Sequence, residues 1–413
     1  MAKPYFATKE KSRWGFSRIV GILFLFSIIG AAGFWGYQRF FPNGAPLPAS
    51  PEIAAQIAQA DTLMKAGNWQ GVRDLLTPLT TRENDPQDGP KILMMLSSAE
   101  TQLGNASGAL GILEQANTKY GTGPLQHEIS ASYAQALRAA GRAAEADKID
   151  GRLVETAPPG QRAPGMLGMA AAAEAAKDLI KARDFFRQAL SDITVGSESW
   201  TTAVDGVGRT NVALIFSPQE TPESKVYSVE PKDNLMSIGM KLNTTQGLLT
   251  RANGLDEAPK LSIGQRLKYT PKDFRITIER STCHVYLLDK DGLFKRYTAG
   301  LGMPGYETAL GEYTIGNKEK NPTWHKPGST PIPPLDPQNE LGTRWMPLMP
   351  AAEGLPKDLG IHGTIHPETI GQYKSHGCPR LCKEDVEELY DLVVRSTPVS
   401  IVETFDLSKA TKG

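Results

Sequence analysis

Three glycines recur at a spacing of 37 residues and constrain the first half of the chain to a repeated helical unit. Gly67, Gly104 and Gly141 each lie in a similar phrase, MKAGNWQGVRDLL, TQLGNASGALGIL and RAAGRAAEADKI. Glycine suits the turn between two helices, and a small residue five positions later lets the helices approach closely. The residues at that small position are Val72, Ala109 and Ala146, and a fourth copy has Ala182 there, with Lys177 at the glycine position.

This pattern resembles tetratricopeptide repeats, with a slightly long period and degenerate copies. We therefore expect an all-α repeat region over residues 53–200. The resemblance implies a surface that binds a protein partner. A helical spacer without a partner is the alternative.

An uncharged run of 17 residues, 19–35, lies close to the start of the chain. Its length is near the lower end for a helix that spans a bilayer. Five Lys or Arg residues and one Glu precede it, and Arg39 is the only nearby basic residue after it, so the positive-inside rule keeps residues 1–18 in the cytoplasm. We predict a single transmembrane helix at 19–37, a linker at 38–52, and a body in the periplasm or extracytoplasmic space. A cleaved signal peptide is the alternative.

Charge and cysteine content narrow the function further. The chain has 45 basic and 45 acidic residues, so no basic excess favours a nucleic-acid partner. Three cysteines cannot form a full disulfide framework, and no CxxC or HExxH spacing occurs. We therefore expect no metal and no other cofactor. A length of 413 residues predicts two to four domains.

The segment after the helical region has the pattern of a small β-α-α-β unit at 226–271, preceded by a linker at 201–225. Tyr227 and Val229 alternate as a strand, and Asn253-Gly254 is a turn signal. The unit resembles a lysin motif (LysM), the module that binds glycans containing N-acetylglucosamine. A packing domain without a ligand is the alternative.

The LysM resemblance has two departures and implies a set of glycan contacts. Lys232 stands where the family favours glycine, and Gly239 stands where alanine is common. The implied contacts come from two loops, at Asp233, Asn234, Leu235, Asn253, Gly254 and Leu255.

Residues 274–405 change to a strand-rich pattern, followed by a tail at 406–413. Apolar and polar residues alternate on both sides of Asp291-Gly292, a hairpin signal. An amphipathic helix is predicted at 384–394 and a final strand at 398–403. The region is therefore expected to be mainly β with a small α component.

A thiol and an imidazole bracket a short polar loop in this region. His362 and Cys378 lie 16 positions apart in the run IHGTIHPETIGQYKSHGCPRL. An unperturbed thiol, with a pKa near ~8.5, is only a few per cent ionised at pH 7 and needs a base to attack a carbonyl. His362 is expected at the end of a strand and Cys378 on the loop ahead of the helix. Their apposition would give a Cys–His pair with an ionised sulfur beside a neutral imidazole.

The neighbours of Cys378 suit the same chemistry. The N–H groups of Gly377 and Cys378 are candidate oxyanion donors, whereas Pro379 has no N–H and keeps Cys378 out of the α region. Arg380 adds positive charge near the thiol. His366 is a competing base. Considered one at a time, a lone cysteine is more often a small buried apolar residue, and a lone histidine is more often structural than catalytic.

The run closely resembles the L,D-transpeptidase catalytic domain (YkuD-like) over about residues 274–403. This resemblance implies a β-rich fold in which Cys378 is the nucleophile and His362 the general base. It departs from the family at Pro379, where an aliphatic residue is usual, and at Ala309, where proline is common. The matching elements are His362-Gly363-Thr364, Ser375-His376-Gly377-Cys378, Arg380-Leu381, Gly300-x-Gly302, 308–311, 321–324 and 339–344.

The same resemblance implies a lining for the site. Ser375, His376, Gly377 and Arg380 would surround the thiol. The backbone carbonyl of Gly363 would orient the His362 ring.

Together the resemblances imply a membrane-anchored enzyme that cross-links the cell wall. It would cleave the terminal D-alanine of a peptidoglycan tetrapeptide stem through a Cys acyl-enzyme and pass the acyl group to an amine of another stem. The implied partners are stem peptides, glycan strands, the inner membrane and a protein bound by the repeats. The alternatives are an L,D-carboxypeptidase, which uses water as acceptor, and a non-catalytic wall-binding scaffold disabled by Pro379.

Two experiments would separate these alternatives. An ordinary thiol pKa at Cys378 would favour the scaffold. Retained activity after deletion of residues 53–200 would favour the enzyme.

Overall fold

The computed structural model of the chain describes most residues after position 50, and they form two compact units. The first unit extends to Gln126 and the second runs from His127 onward. The predicted transmembrane segment at 19–37 and the predicted cytoplasmic segment at 1–18 lie outside the described residues. No helix in the described part of the chain has the length and apolar character needed to cross a bilayer. The described residues are 51–80, 86–256, 258–325, 328 and 330–407.

The first unit is built from helices. Val72, Leu76, Ile92 and Ala99 are fully buried and form its core together with Leu96. The helices are α1 (Pro51–Lys65), α2 (Trp69–Leu76), α3 (Asp88–Gln102) and α4 (Ala106–Tyr120), with a 3-10 turn at Thr77–Leu79.

The second unit begins with five further helices. The first four continue the helix-turn-helix pattern, and the fifth is the longest of the five. They are α5 (Gln126–Ala139), α6 (Ala143–Thr156), α7 (Ala163–Ala175), α8 (Leu179–Leu190) and α9 (Glu198–Ile215).

The 37-residue spacing marks the turns between consecutive helices, as predicted. Gly67, Gly104 and Gly141 have φ of +69°, +81° and +78°, and Lys177 has +60° in the fourth copy. In all four turns the residue after this position donates its N–H to a carbonyl five residues earlier, which closes the helix end. The small residues five positions on, Val72, Ala109, Ala146 and Ala182, are fully buried.

The predicted linker at 201–225 is wrong for most of its length. Residues up to Ile215 belong to α9, which carries Trp200 and Val204 into a buried cluster with strand residues of the catalytic region. Asn211 is also buried and donates from its Nδ2 to the backbone oxygen of Phe294 at 2.9 Å. The glycines and polar residues of α9 obscure its amphipathic pattern, and it is held by packing against the sheet.

The β-α-α-β unit has the predicted order and an antiparallel strand pair. Strand β1 (Lys225–Ser228) pairs with β2 (Arg266–Tyr269), and helices α10 (Leu235–Leu242) and α11 (Gln246–Ala252) lie between them. Lys232 has φ +72°, a conformation that glycine adopts at lower cost, which agrees with the departure from the family noted there.

The region after residue 274 is mainly β, as predicted. Its elements are β3 (Arg275–Glu279), β4 (His284–Asp289), β5 (Gly292–Thr298), β6 (Leu301–Gly302), β7 (Gly311–Ile315), β8 (Glu319–Lys320), β9 (Arg344–Pro350), β10 (Gly360–His362), β11 (Tyr373–Ser375), α12 (Lys383–Leu392) and β12 (Pro398–Val402). One eight-stranded sheet has the strand order β10-β9-β7-β12-β3-β4-β5, with β8 paired to β9, and β6 and β11 form a separate parallel pair.

The core of this region lies between the sheet and α12. Val386, Leu389 and Leu392 of α12 are buried against sheet residues such as Ile276 and Ile361. The same cluster includes Leu248 of the β-α-α-β unit and Ile215 of α9. The two short strands that carry the site, β10 and β11, are therefore supported from several sides.

Candidate active site

His362 is the last residue of β10, as predicted, and is 4% exposed. It lies opposite Trp345 of β9, with the two ring centroids 5.7 Å apart. Gly360, two residues earlier, faces the same Trp345 ring so closely that an added Cβ would come within 2.3 Å of it. Glycine is therefore required beneath this side of the site.

One hydrogen bond sets the tautomer of the His362 ring. The Nδ1 atom lies 2.7 Å from the backbone oxygen of Gly363, as predicted. A carbonyl oxygen only accepts, so Nδ1 carries the proton, and in the neutral ring the basic lone pair is then on Nε2. The ring is thus in the form that can accept a proton at Nε2.

The pKa of His362 is lowered to about 4, so the imidazole is neutral at pH 7 as expected. Burial is the main cause, and the positive charge of Arg380 acts in the same direction. The backbone carbonyls of Gly363 and Glu340 act in the opposite direction. Both carbonyls favour the protonated ring, so both would stabilise an imidazolium formed during a reaction.

Backbone hydrogen bonds hold the Cys378 loop beside β10. The His362 N–H donates to Pro379 O at 3.2 Å, and the Leu381 N–H donates to His362 O at 2.9 Å. On its other side, Arg380 exchanges two hydrogen bonds of 2.8 Å with Gly300. The segment after the thiol is therefore fixed between β10 and the start of β6.

The register places the Cys378 thiol next to the His362 position. The bridge between His362 and Arg380 is parallel, so Cys378 lies beside Gly360. The thiol accepts a hydrogen bond from the Gly360 N–H, so its side chain lies against the strand that carries His362. Sγ is half-buried, and its hydrogen bond goes to Asp358 O at 3.9 Å and not to the ring.

The expectation of an ionised sulfur is wrong for the resting site. Burial raises the pKa of the Cys378 thiol, and the carboxylate of Asp358 adds to this effect. The Gly360 N–H and the charge of Arg380 lower it without reversing the direction. The resting pair is a neutral thiol beside a neutral imidazole, so the proton must move as the sulfur attacks.

Only one of the two predicted oxyanion donors is available. Gly377 has φ +118°, which favours glycine, and its N–H donates to Ser375 Oγ at 3.2 Å. Within the described residues, the Cys378 N–H donates no hydrogen bond. It is therefore the group free to donate to an oxyanion at this loop.

Of the remaining residues predicted to line the site, Ser375 and Arg380 are buried and His376 is exposed. Ser375 is 1% exposed and accepts at its backbone oxygen from the Met303 N–H at 2.9 Å, so it shapes the loop. His376 is exposed, and its ring meets that of Tyr306 edge-on with centroids 5.2 Å apart. Arg380 is 8% exposed and lies 3.6 Å from a carboxylate oxygen of Glu340.

The competing base His366 lies outside this pair. Its ring is about half exposed, and its Nδ1 is 3.3 Å from a carboxylate oxygen of Glu368, which is also exposed. The backbone at His366 begins the surface turn Pro367–Thr369. The structure therefore brings His362, and not His366, to the thiol loop.

A buried threonine clamps the nucleophile loop, a role that the sequence did not reveal. Thr308 is fully buried; its Oγ1 donates to Gly377 O at 2.7 Å and accepts from the Gly302 N–H at 3.0 Å. Gly302 has no room for a side chain, since an added Cβ would lie 2.0 Å from Tyr306 O. One hydroxyl thus joins β6 to the residue that precedes the thiol.

We expect Thr308→Val to lower both activity and stability. The nearly isosteric side chain leaves the Gly377 oxygen and the Gly302 N–H without this partner, at a cost of about 1–3 kcal/mol for each buried group. Loss of the clamp should lower kcat more than it raises KM, because the thiol loop loses its fixed position. Thermal unfolding and initial rates of turnover measure the two effects.

Thr308→Ser is the matched control, because it keeps the hydroxyl. It should restore most of kcat. Equal kcat loss in both variants would show that the hydroxyl alone does not hold the loop, and that the packing of the intact threonine is needed as well.

A small cavity lies beside the His362 end of the site. Its volume is about 260 Å³, and Gly363 and Thr364 line it together with the segment from Leu335 to Thr343. Gly342, with φ +65°, approaches Gly363 so closely that an added Cβ would lie 3.1 Å from its Cα. The segment from Leu335 to Thr343 therefore forms a wall next to the residues that follow the imidazole.

The glycan contacts implied for the β-α-α-β unit are mostly committed to internal bonds. The Asp233 carboxylate accepts from the Tyr227 hydroxyl at 2.7 Å and from Lys241 Nζ at 2.9 Å. The side-chain amide of Asn253 donates to the backbone oxygen of Lys268 and accepts from the Lys268 N–H. The other four residues are Asn234, which caps α10 through Ser237, Leu235, which is 7% exposed, and Gly254 and Leu255 in the turn after α11.

Comparison with known proteins agrees with both domains. Residues 273–401 match the family model of the YkuD L,D-transpeptidase catalytic domain, and residues 227–270 match that of the LysM domain. The chain thus contains an L,D-transpeptidase catalytic domain preceded by a LysM domain. It is an enzyme of the L,D-transpeptidase class, which confirms the prediction from the sequence.

Two Bacillus proteins are similar to a little over two fifths of this chain. The YkuD protein of Bacillus licheniformis, which is named as an L,D-transpeptidase, is 29% identical over 182 residues, covering 43% of this chain and 98% of that protein. Its counterpart of the same name in Bacillus subtilis is 28% identical over 183 residues, covering 42% and 97%. Among solved structures, the catalytic domain of the E. faecium L,D-transpeptidase is 24% identical, with 32% of this chain and 97% of that chain covered and a TM-score of 0.25.

Proposed function

We propose that this protein is a membrane-anchored peptidoglycan L,D-transpeptidase in which Cys378 is the nucleophile and His362 the general base. The observation that carries the proposal is the position of both residues within the L,D-transpeptidase match, on two segments joined by hydrogen bonds. The tautomer of His362 leaves Nε2 ready to accept a proton. The substrate would be the tetrapeptide stem of peptidoglycan.

The first half of the reaction forms an acyl-enzyme. Sγ attacks the carbonyl that precedes the terminal D-alanine while its proton passes to Nε2 of His362. The tetrahedral oxyanion accepts a hydrogen bond from the Cys378 N–H. The carbon–nitrogen bond then breaks, and the imidazolium returns its proton to the amine of the departing D-alanine.

The second half transfers the acyl group. The amine of another stem attacks the thioester, and Nε2 takes a proton from that amine. Collapse of the second tetrahedral intermediate forms the cross-linking amide and releases Sγ, which regains the proton from the imidazolium. Because resting thiol and imidazole are both neutral, the enzyme begins and ends each cycle in the same charge state.

Neighbouring groups have positioning roles in this scheme. The Gly363 carbonyl holds the ring and stabilises the transient imidazolium. Ser375, Gly377 and Thr308 shape the thiol loop through their mutual hydrogen bonds. Arg380 supplies positive charge beside the thiol and the oxyanion. Pro379 lacks an N–H, but its carbonyl is the acceptor that joins the loop to His362.

The other regions would deliver the catalytic domain to its polymer. We propose that residues 19–37 anchor the chain in the membrane with the remainder in the periplasm or extracytoplasmic space. The LysM domain would bind glycan strands, and the helical repeats would act as a spacer or a partner-binding surface. This arrangement is supported by the uncharged N-terminal run and its basic flank.

Product analysis tests the reaction and separates its two acceptors. The full chain is incubated with a purified disaccharide-tetrapeptide, with and without a second stem that carries a free amine. A transpeptidase releases D-alanine and forms a cross-linked dimer that mass spectrometry detects. D-alanine release with only a tripeptide product would identify an L,D-carboxypeptidase. Binding without any D-alanine release would support the wall-binding scaffold.

The lowered pKa of His362 predicts an unusually acidic limit for activity. A base must be unprotonated, and a pKa of about 4 keeps it so at far lower pH than an ordinary histidine near ~6.5. We expect kcat/KM for D-alanine release to fall through a limb near pH 4. A limb near pH 6.5 would contradict the buried, neutral His362.

Stability must be followed alongside this pH profile. The folded-state pKa is below the unfolded one, so the stability contributed by neutral His362 is complete above pH ~6.5 and is lost as the pH falls toward 4. The loss should reach about 3 kcal/mol. His362→Gln should remove this pH-dependent loss as well as the activity, and unfolding by circular dichroism at each pH separates the two.

A further inference from the structure

A large cavity in the second unit lies between the LysM domain and the catalytic domain, away from the thiol. Its volume is about 860 Å³, in the range of small-molecule sites. Helices α10 and α11 form one wall, and β8, β9 and the end of α12 form the other. Neither His362 nor Cys378 lines it.

The position of this cavity is fixed by direct contacts between the two domains. Thr245 Oγ1 donates to the backbone oxygen of Asp391, and Arg251 lies 3.3 Å from the Asp391 carboxylate. Gly247 meets Asp391 so closely that an added Cβ would lie 2.2 Å from a carboxylate oxygen. The two walls therefore form a built site rather than a chance gap.

The lining is strongly basic, although the whole chain has no net charge. Five cationic side chains line the cavity against one carboxylate, that of Asp391. Asp391 is paired with Arg251, and Glu387 lies 3.6 Å from Arg344 just behind the wall. The cations are Arg251, Lys318, Lys320, Arg344 and Arg395.

A buried, incompletely paired guanidinium indicates an anionic ligand. Arg344 is 8% exposed, and within the described residues its Nε has no hydrogen-bond partner. The Nε atom itself is enclosed, and Nη1 donates to Thr343 O at 2.8 Å. Arg344 also lines the cavity, where its charge complements a carboxylate or another oxyanion. Lys318 is a second partly buried cation, and its Nζ donates to the backbone oxygens of Tyr390 and Val393 at the end of α12.

The opposite wall supplies apolar surface to the same space. Met236 and Met240 of α10 are 59% and 73% exposed and line the cavity. Methionine side chains adapt to irregular ligands. The combination suits a peptide with several carboxylates and aliphatic side chains, such as the stem peptide of peptidoglycan.

We propose that this interdomain cavity binds a carboxylate-bearing stem peptide as a second, non-reacting site that holds the polymer on the enzyme. This proposal rests on the proposed function for its choice of ligand. The LysM wall and the catalytic wall would close on the same stem, so the two domains would grip one strand together. The contacts implied earlier for the LysM loops are separate from this cavity.

The test measures binding in a chain that cannot turn over. Calorimetry of full-length Cys378→Ala with a disaccharide-tetrapeptide is compared with the same variant carrying Lys320→Glu and Arg395→Glu. We expect the double change to weaken binding at least about tenfold, and amidation of the ligand carboxylates to do the same. The matched control carries Lys225→Glu and Lys290→Glu, two exposed lysines outside the cavity, and should bind as the parent does.

Three outcomes would overturn the proposal. They are equal weakening by the control pair, no effect of amidation, and binding of a poly(glycerol phosphate) fragment in place of the stem peptide. Because binding is measured without the thiol, it does not depend on turnover. A wild-type chain that binds the stem in this way but releases no D-alanine would refute the proposed catalysis and leave this site intact.

Discussion

Replacing Cys378 with alanine is expected to abolish D-alanine release, lowering kcat/KM by a factor on the order of 10⁴ to 10⁶. The sulfur forms the bond that holds the acyl group, and no other group in the scheme can replace it. The fold should survive, because Sγ is half-buried and its hydrogen bond to Asp358 O is long, at 3.9 Å. Initial rates with a purified disaccharide-tetrapeptide measure the loss.

Cys382→Ala is the matched control for this substitution. Cys382 is also a half-buried free thiol, four residues away, with its Sγ 3.1 Å from a carboxylate oxygen of Asp385. Its removal should leave kcat/KM within about twofold. Full activity of Cys378→Ala would end the proposed mechanism, and equal losses in the two variants would indicate damage to the loop rather than to the chemistry.

Removing α9 is expected to unfold the catalytic domain. Trp200 and Val204 are 6% and 0% exposed and pack against Tyr286, Leu288 and Leu293 of the sheet. Deleting a buried Trp side chain alone costs about 3–5 kcal/mol, so a chain that begins at residue 225 should lose at least about 5 kcal/mol. A loss of that size consumes most of the stability of a typical domain. Chemical denaturation of this chain, compared with that of the longer control below, measures the loss of stability.

The matched control begins at residue 127 and keeps the whole second unit. It should unfold at nearly the same denaturant concentration as the full chain. Deleting residues 53–200 removes Trp200 and the α8 residues, such as Phe186, that cover α9. Loss of activity in that deletion would therefore reflect an unfolded domain and would not favour the scaffold alternative. A chain from residue 225 as stable as the control would show that α9 is dispensable.

Features encoded over short stretches of sequence were predictable. The turn glycines and Lys177 share positive φ because the helix end itself requires that conformation. The strand–helix–helix–strand order of the LysM domain and the strand end at His362 followed from local periodicity. The family resemblance indicated the Gly363 carbonyl as the partner of the His362 ring. This hydrogen bond joins neighbouring residues and so does not depend on distant packing.

Features that depend on distant packing were not predictable. Helix α9 is rich in small and polar residues, and only its contact with the sheet makes it a buried element. The resting state of the thiol depends on burial and on Asp358, which lies 20 positions earlier. The Gly377 N–H is engaged by Ser375 Oγ only because the backbone folds back at this loop.

A neutral resting thiol means that titration of Cys378 does not distinguish an enzyme from a wall-binding scaffold. Burial raises the pKa of Cys378 in the structure proposed to be active. An ordinary or raised value is therefore compatible with catalysis by proton transfer to His362. Acylation, and not titration, distinguishes the enzyme from the scaffold.

The most direct measurement is peptide mapping of the trapped acyl-enzyme. Wild-type chain is mixed with a disaccharide-tetrapeptide without acceptor, quenched in acid and digested, and the released D-alanine is counted. We predict a thioester adduct on the peptide that contains Cys378, one D-alanine released per adduct, and loss of the adduct in His362→Gln. An adduct on another residue, or full acylation of Cys378 in His362→Gln, would contradict it.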